Sequence, residues 1–98
     1  MVPFARPRLD FRISSSVYRV ETDSLAAEQI AALPDEALSD YAQVLGVLEL
    51  VPWNGAQLHD ENPGGAVRTL PFGRAGMVTY LILDDQRRVD VLNVVRVG

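Results

Sequence analysis

Hydrophobic and polar positions follow a period of two in the last third of the chain and a period near 3.6 in its middle. In residues 77–83, Met-Val-Thr-Tyr-Leu-Ile-Leu, both alternating sets are apolar, with Thr79 the single break. Strand side chains point alternately to two faces, so this segment predicts a strand covered on both sides or nearly so. Residues 88–96 are too rich in valine to prefer a helix and predict a second strand. The polar Asp84-Asp85-Gln86-Arg87 between them is a hairpin signal. Residues 66–70 predict a further strand, joined to 77–83 by the turn Gly73-Arg74-Ala75-Gly76. An antiparallel hairpin late in the chain is the expected scaffold.

Upstream, residues 17–21 form the first credible strand, which must pair with the later sheet because a lone strand is unstable. Thr22-Asp23-Ser24 offers N-cap oxygens to a short helix over 25–33, where Ala26, Ile30 and Leu33 make one apolar stripe. Pro34 ends it and can open the next helix, with Asp35 and Glu36 suited to that helix's positive end. Leu38, Tyr41, Leu45 and Leu48 give the second helix an inward face reaching to about Leu50. Gly46 weakens it by about 1 kcal/mol relative to alanine, and Pro52 stops it. Residues 53–65 are dense in turn formers and have no internal period. The expected fold is α+β: two helices packed across one face of a small antiparallel sheet, in the order β-α-α-β-β-β. Residues 1–16, with two prolines and a serine run, predict a loose arm before a single domain over 17–98.

Composition narrows the function classes. The 98 residues suffice for one core. No apolar run approaches the roughly 18 residues that span a bilayer, and the N-terminus lacks the apolar region of a signal peptide, so a cytoplasmic protein with no membrane contact is expected. Cysteine is absent and histidine occurs once, which argues against a disulfide framework and a structural zinc site. Charge is uneven: residues 21–65 carry nine acidic side chains and no basic one, between two mildly basic ends, and the net charge is −4. Every basic residue is arginine. An acidic whole is a poor fit to a phosphate backbone, although the basic strands offer one local face.

Candidate chemistry is sparse. No phosphate-cradling glycine loop, nucleophile elbow or metal-ligand spacing occurs, so no cofactor is expected. His59, beside Asp60 and Glu61, is the one side chain that could serve as a base at neutral pH, and the plainer reading makes it a solvated loop residue. Asp84 and Asp85 fit a solvated hairpin tip better than a catalytic pair. Trp53, after a helix-ending proline, is expected to plug the end of the core, and Tyr80 to be a core residue whose hydroxyl reaches the edge. Arg68, Arg74 and Arg96 fall on a strand, in the following turn and at the end of the last strand. If they gather at one rim they can bind phosphate; otherwise they are solvated or pair with the acidic helices.

The order of elements, with several local patterns, resembles the RelE/ParE superfamily of bacterial toxin–antitoxin toxins over residues 17–96. The pieces are Ala32-Leu33-Pro34, Leu48-Glu49-Leu50-Val51-Pro52, Gly55-Ala56-Gln57-Leu58, Val67-Arg68-Thr69-Leu70, Val78-Thr79-Tyr80-Leu81-Ile82 and Val89-Asp90-Val91-Leu92-Asn93-Val94. The resemblance implies a toxin with a curved antiparallel sheet, bound by an antitoxin protein. It further implies either cleavage of mRNA on the ribosome or action on DNA gyrase. For the endoribonuclease branch it implies phosphate-binding roles for Arg68 and, approximately, Arg96; Arg74 joins them as a nearby candidate, and His59 is the base candidate by residue type alone. Met77 stands where members commonly carry an arginine, and Arg74 lies three residues away. A non-catalytic interaction module of the same fold is the alternative.

Overall fold

The structure is a computed structural model that describes residues 17–57 and 66–97. The arm expected over 1–16 lies outside the described residues, as do His59, Asp60 and Glu61. Strand β1 (Arg19–Thr22) leads into helix α1 (Ser24–Ala31), with Asp23 in extended backbone at the N-cap. Its side chain makes no capping bond, so its contribution is charge near the helix's positive end. The helix closes two residues short of the expected end, tightening through Leu33 N–H to Ile30 O at 3.0 Å. Pro34 then occupies the N-cap of α2 (Asp35–Leu50), whose first turn carries Asp35 and Glu36.

The buried stripe of α2 is Ala37, Tyr41, Val44 and Leu48. Leu38 and Leu45 flank it only partly buried, one position round from the expected face. Small side chains at 37 and 44 let the helix lie close to the sheet, which a stripe of leucines would hold away. A short 3-10 turn (Pro52–Asn54) ends α2 and feeds β2 (Ala56–Gln57), a two-residue strand inside the stretch expected to be irregular. The remaining strands are β3 (Val67–Phe72), β4 (Gly76–Leu83) and β5 (Arg88–Arg96).

Sheet order is β1-β5-β4-β3-β2. Strands β3 to β5 form the expected antiparallel meander, β2 adds to it antiparallel on β3, and β1 joins β5 in parallel, with Arg19 opposite Arg88, so the five-stranded sheet is mixed. Three reversals from β2 to β5 return the chain to the direction of β1, and β1 completes the far edge. In β5 a bulge sets Thr79 opposite Asn93 but Tyr80 opposite Val91, leaving Leu92 as the extra residue. Gln29 on α1 serves this irregularity. Its Oε1 accepts from Val94 N–H at 2.6 Å and its Nε2 donates to Asn93 Oδ1 at 2.8 Å.

Both helices pack on one face of the sheet. Ala26, Ala37, Tyr41, Val44 and Leu48 meet Phe72, Val78, Tyr80, Ile82, Val89, Val91 and Val94 there. Tyr41 meets Phe72 edge-on at 5.7 Å. The covering of β4 on both sides, expected from its sequence, holds for one side only. Val78, Tyr80 and Ile82 are buried, whereas Met77 is 39% exposed and Thr79, Leu81 and Leu83 are half-buried. Among the described residues no helix lies on that second face, and no helix is long and apolar enough to cross a membrane.

Candidate functional site

The three arginines that could have gathered at one rim divide between two ends of the sheet. Arg68 pairs across β3 and β4 with Tyr80, and Arg96 pairs across β4 and β5 with Gly76. Those positions are about 13 Å apart along the strand. Arg68 is engaged where it stands: its guanidinium lies 4.9 Å from the Trp53 ring centroid and donates to Gly55 O at 3.2 Å. Directly below, the buried Tyr80 hydroxyl donates to Pro52 O at 2.7 Å. Gly55 permits this approach, because a Cβ there would sit 2.0 Å from the hydroxyl. Burial pushes the Tyr80 hydroxyl's pKa up, against the smaller pull of the Gly55 backbone and the Arg68 charge.

Trp53 is 40% exposed and caps the end of the sheet instead of entering the core. Its Nε1 donates to Asp84 Oδ1 at 3.3 Å. The Tyr18 hydroxyl donates to the same oxygen, and Arg87 Nη1 donates to the Tyr18 hydroxyl at 3.0 Å. The Tyr18 bond, then Trp53 and the Arg87 charge, hold the Asp84 carboxyl below its ordinary pKa. Asp84, expected to solvate a hairpin tip, therefore ties Tyr18, just ahead of β1, the Pro52–Asn54 turn and the β4–β5 turn together. Arg87 adopts φ +51°, the left-handed conformation that closes that turn. No spacing in the sequence announces this cluster, since its members come from three distant segments.

Arg74 and Arg96 do come together. They line a cleft of about 430 Å³ with Glu36, Asp40, Phe72 and Gly73, between the first turns of α2 and the β3–β4 turn. Arg96 lies 4.0 Å from Glu36 Oε2. Gly73 has φ +59°, and a Cβ on it would meet Asp40 Oδ2 at 2.6 Å, so glycine is needed both for the turn and for the carboxylate beside it. Two guanidinium groups facing two carboxylates leave the cleft near neutral, which weakens its attraction for phosphate. Among the described residues no three of His, Cys, Asp and Glu gather as a metal site.

The uncovered sheet face is the largest feature that site-residue reasoning missed. Pro71, Met77 and Val95 form a row across β3, β4 and β5, all exposed. Behind them lie Thr69 and Thr79, then Val67 and Leu81. Towards β1 the same face becomes charged and self-satisfied, with Arg88 paired to Asp90 at 2.9 Å and Arg19 to Glu21 at 2.8 Å. The signal was present in the sequence: both alternating sets of β4 are apolar, so a second covering surface is implied wherever the chain does not supply one.

No protein-family model matches the sequence, and no curated protein matches it. Solved structures do. A chain of the toxin–antitoxin complex RelBE2 from Mycobacterium tuberculosis superposes with a TM-score of 0.70 at 22% identity, over 83% of this chain and 92% of that one. The E. coli toxin RelE, as a mutant in the free state, gives 0.66 at 14% identity, over 82% and 83% of the two chains. A chain of the archaeal RelE–RelB complex from Pyrococcus horikoshii OT3 gives 0.58 at 15% identity, over 84% and 97%. This chain has the fold of the RelE toxins.

Proposed function

We propose that this chain is the toxin-fold member of a toxin–antitoxin-type pair and acts by binding a partner, not by cleaving RNA. The observation that carries this is the apolar row Pro71, Met77 and Val95 on the side of the sheet that no helix covers among the described residues. Apolar side chains held on a rigid sheet suit a partner's apolar segment. Two of the structures that share the fold are complexes of a RelE-type toxin with its antitoxin. In-line cleavage of RNA needs a base and converging cations at one phosphate. Here Arg68 is held by Trp53 and Gly55 at one end, while Arg74 and Arg96 face Glu36 and Asp40 at the other.

Co-expression of the tagged chain with the product of the adjacent reading frame tests this directly. A stoichiometric complex on gel filtration is expected, lost in the double variant Met77→Glu, Val95→Glu. Growth arrest accompanied by RNA cleavage, and abolished by Arg68→Ala or by Arg74→Ala with Arg96→Ala, would overturn the non-catalytic reading.

A further inference from the structure

The C-terminal end of α2 leaves apolar side chains in water. Leu50 is 60% exposed and Val51 45%, and the exposed Trp53 follows them in the turn that Pro52 opens. Apolar side chains gathered at one place on a small domain mark a surface that something else covers. The last turn of α2 carries Glu49 and no basic residue, so its carbonyl end also lacks the cation that suits it. The arginines at this end of the sheet are already engaged. Arg68 holds the Trp53 ring and Gly55 O, and Arg87 holds Tyr18 and Asp84.

The described chain starts at the same place. Tyr18 N–H donates to Glu49 O at 2.8 Å, so the residues before it leave the fold beside the end of α2. Sixteen residues precede Val17, and among them Leu9, Phe11 and Ile13 alternate with Asp10 and Arg12, the period of an extended segment with one apolar face. Residues 1–16 carry Arg6, Arg8 and Arg12 against Asp10, opposite in sign to residues 21–65 with their nine acidic side chains. Reach decides which apolar surface this segment meets. Ser14, Ser15 and Ser16 let Ile13 stand at most about 14 Å from Val17. The row Pro71, Met77 and Val95 is too far, since Met77 lies about 20 Å along β4 from Leu83, which pairs with Arg88 at the start of β1. The end of α2 is within reach.

We propose that residues 9–13 fold back over the end of α2, with Leu9, Phe11 and Ile13 against Leu50, Val51 and Trp53. The arm's arginines then lie in the field of Glu49 and the α2 carbonyl end. This is a surface that the chain covers itself, separate from the sheet row offered to a partner.

Limited trypsin digestion of the full chain tests it, because cleavage after Arg12 needs the arm released and its rate follows the released population. Leu50→Ser removes a contact without changing the cleaved sequence, and it should speed that cleavage about tenfold. Leu25→Ser, at an exposed leucine on α1, should leave the rate unchanged. Trp53 is the single tryptophan and gives a separate readout. Phe11→Ser with Ile13→Ser should raise acrylamide quenching of its fluorescence and shift its emission to the red. Circular dichroism establishes that each variant is folded. Equal cleavage rates in the wild type and Leu50→Ser, equal acceleration by Leu25→Ser, or unchanged quenching in Phe11→Ser with Ile13→Ser would overturn the proposal. So would protection that rises with protein concentration alongside a dimer that Phe11→Ser with Ile13→Ser abolishes, which would place the arm on a second copy.

Discussion

Two side chains show how differently a polar group fares in this small core. The Tyr41 hydroxyl is buried and finds no partner among the described residues, and burial pushes its pKa up. An unmade hydrogen bond in that setting costs about 1–3 kcal/mol, so removing the group should cost nothing. Tyr41→Phe, which keeps the ring packed edge-on against Phe72, is expected to unfold at the same urea concentration as the wild type or a higher one. A clear loss of stability would mean that the hydroxyl has a partner after all. Asp84 is the opposite case, accepting from Tyr18 and Trp53 beside Arg87. Its carboxyl is held below the ordinary value, so its contribution is present above about pH 4, the unfolded-state pKa, and disappears as pH falls through the lower folded-state value. Acid titration of stability should therefore show a shallower descent below pH 4 in Asp84→Asn than in the wild type. Parallel descents would remove Asp84 from the account.

At the scale of elements, α1 is an eight-residue helix with one buried residue, Ala26, and little reason to hold on its own. Its anchor is Gln29, which satisfies the Val94 N–H freed by the bulge in β5. Truncation to alanine orphans that donor and should cost about 1–3 kcal/mol. Amide exchange would show lost protection at Val94 and through α1, with β3 and β4 unaffected; uniform loss would mean that α1 and the sheet unfold as one unit. This dependence marks the limit of what the sequence conveys. The helices, the β4–β5 hairpin and the burial of Tyr80 follow from local period and composition, and those were legible. The parallel edge of β1, the two-residue β2 and the separation of Arg68 from Arg96 depend on pairing between distant segments. Alternation fixes which face a side chain takes but not which strand lies beside it. For that reason three arginines that look equivalent along the chain end in two unrelated settings.

For the whole molecule, the decisive asymmetry lies between the two faces of one sheet. One is sealed by an acidic helix pair; the other keeps Pro71, Met77 and Val95 in water at its β3–β4 end. The core does not need those three side chains, because Val78, Tyr80, Ile82, Val91 and Val94 already fill the helix side. Replacing Met77 and Val95 by glutamate should therefore cost no more than ordinary surface substitutions, about 0.5 kcal/mol each. For a domain of this size that shifts Tm by roughly 2–4 °C per substitution. Solubility should move far more, since the exposed apolar row is broken and two charges join a net of −4. Light scattering on concentrated samples is expected to show the wild type associating and the double variant monomeric, with similar melting curves. If the variant instead melts far lower, the exposed row is part of the chain's own core, and a partner is not needed to explain an apolar face on both sides of β4.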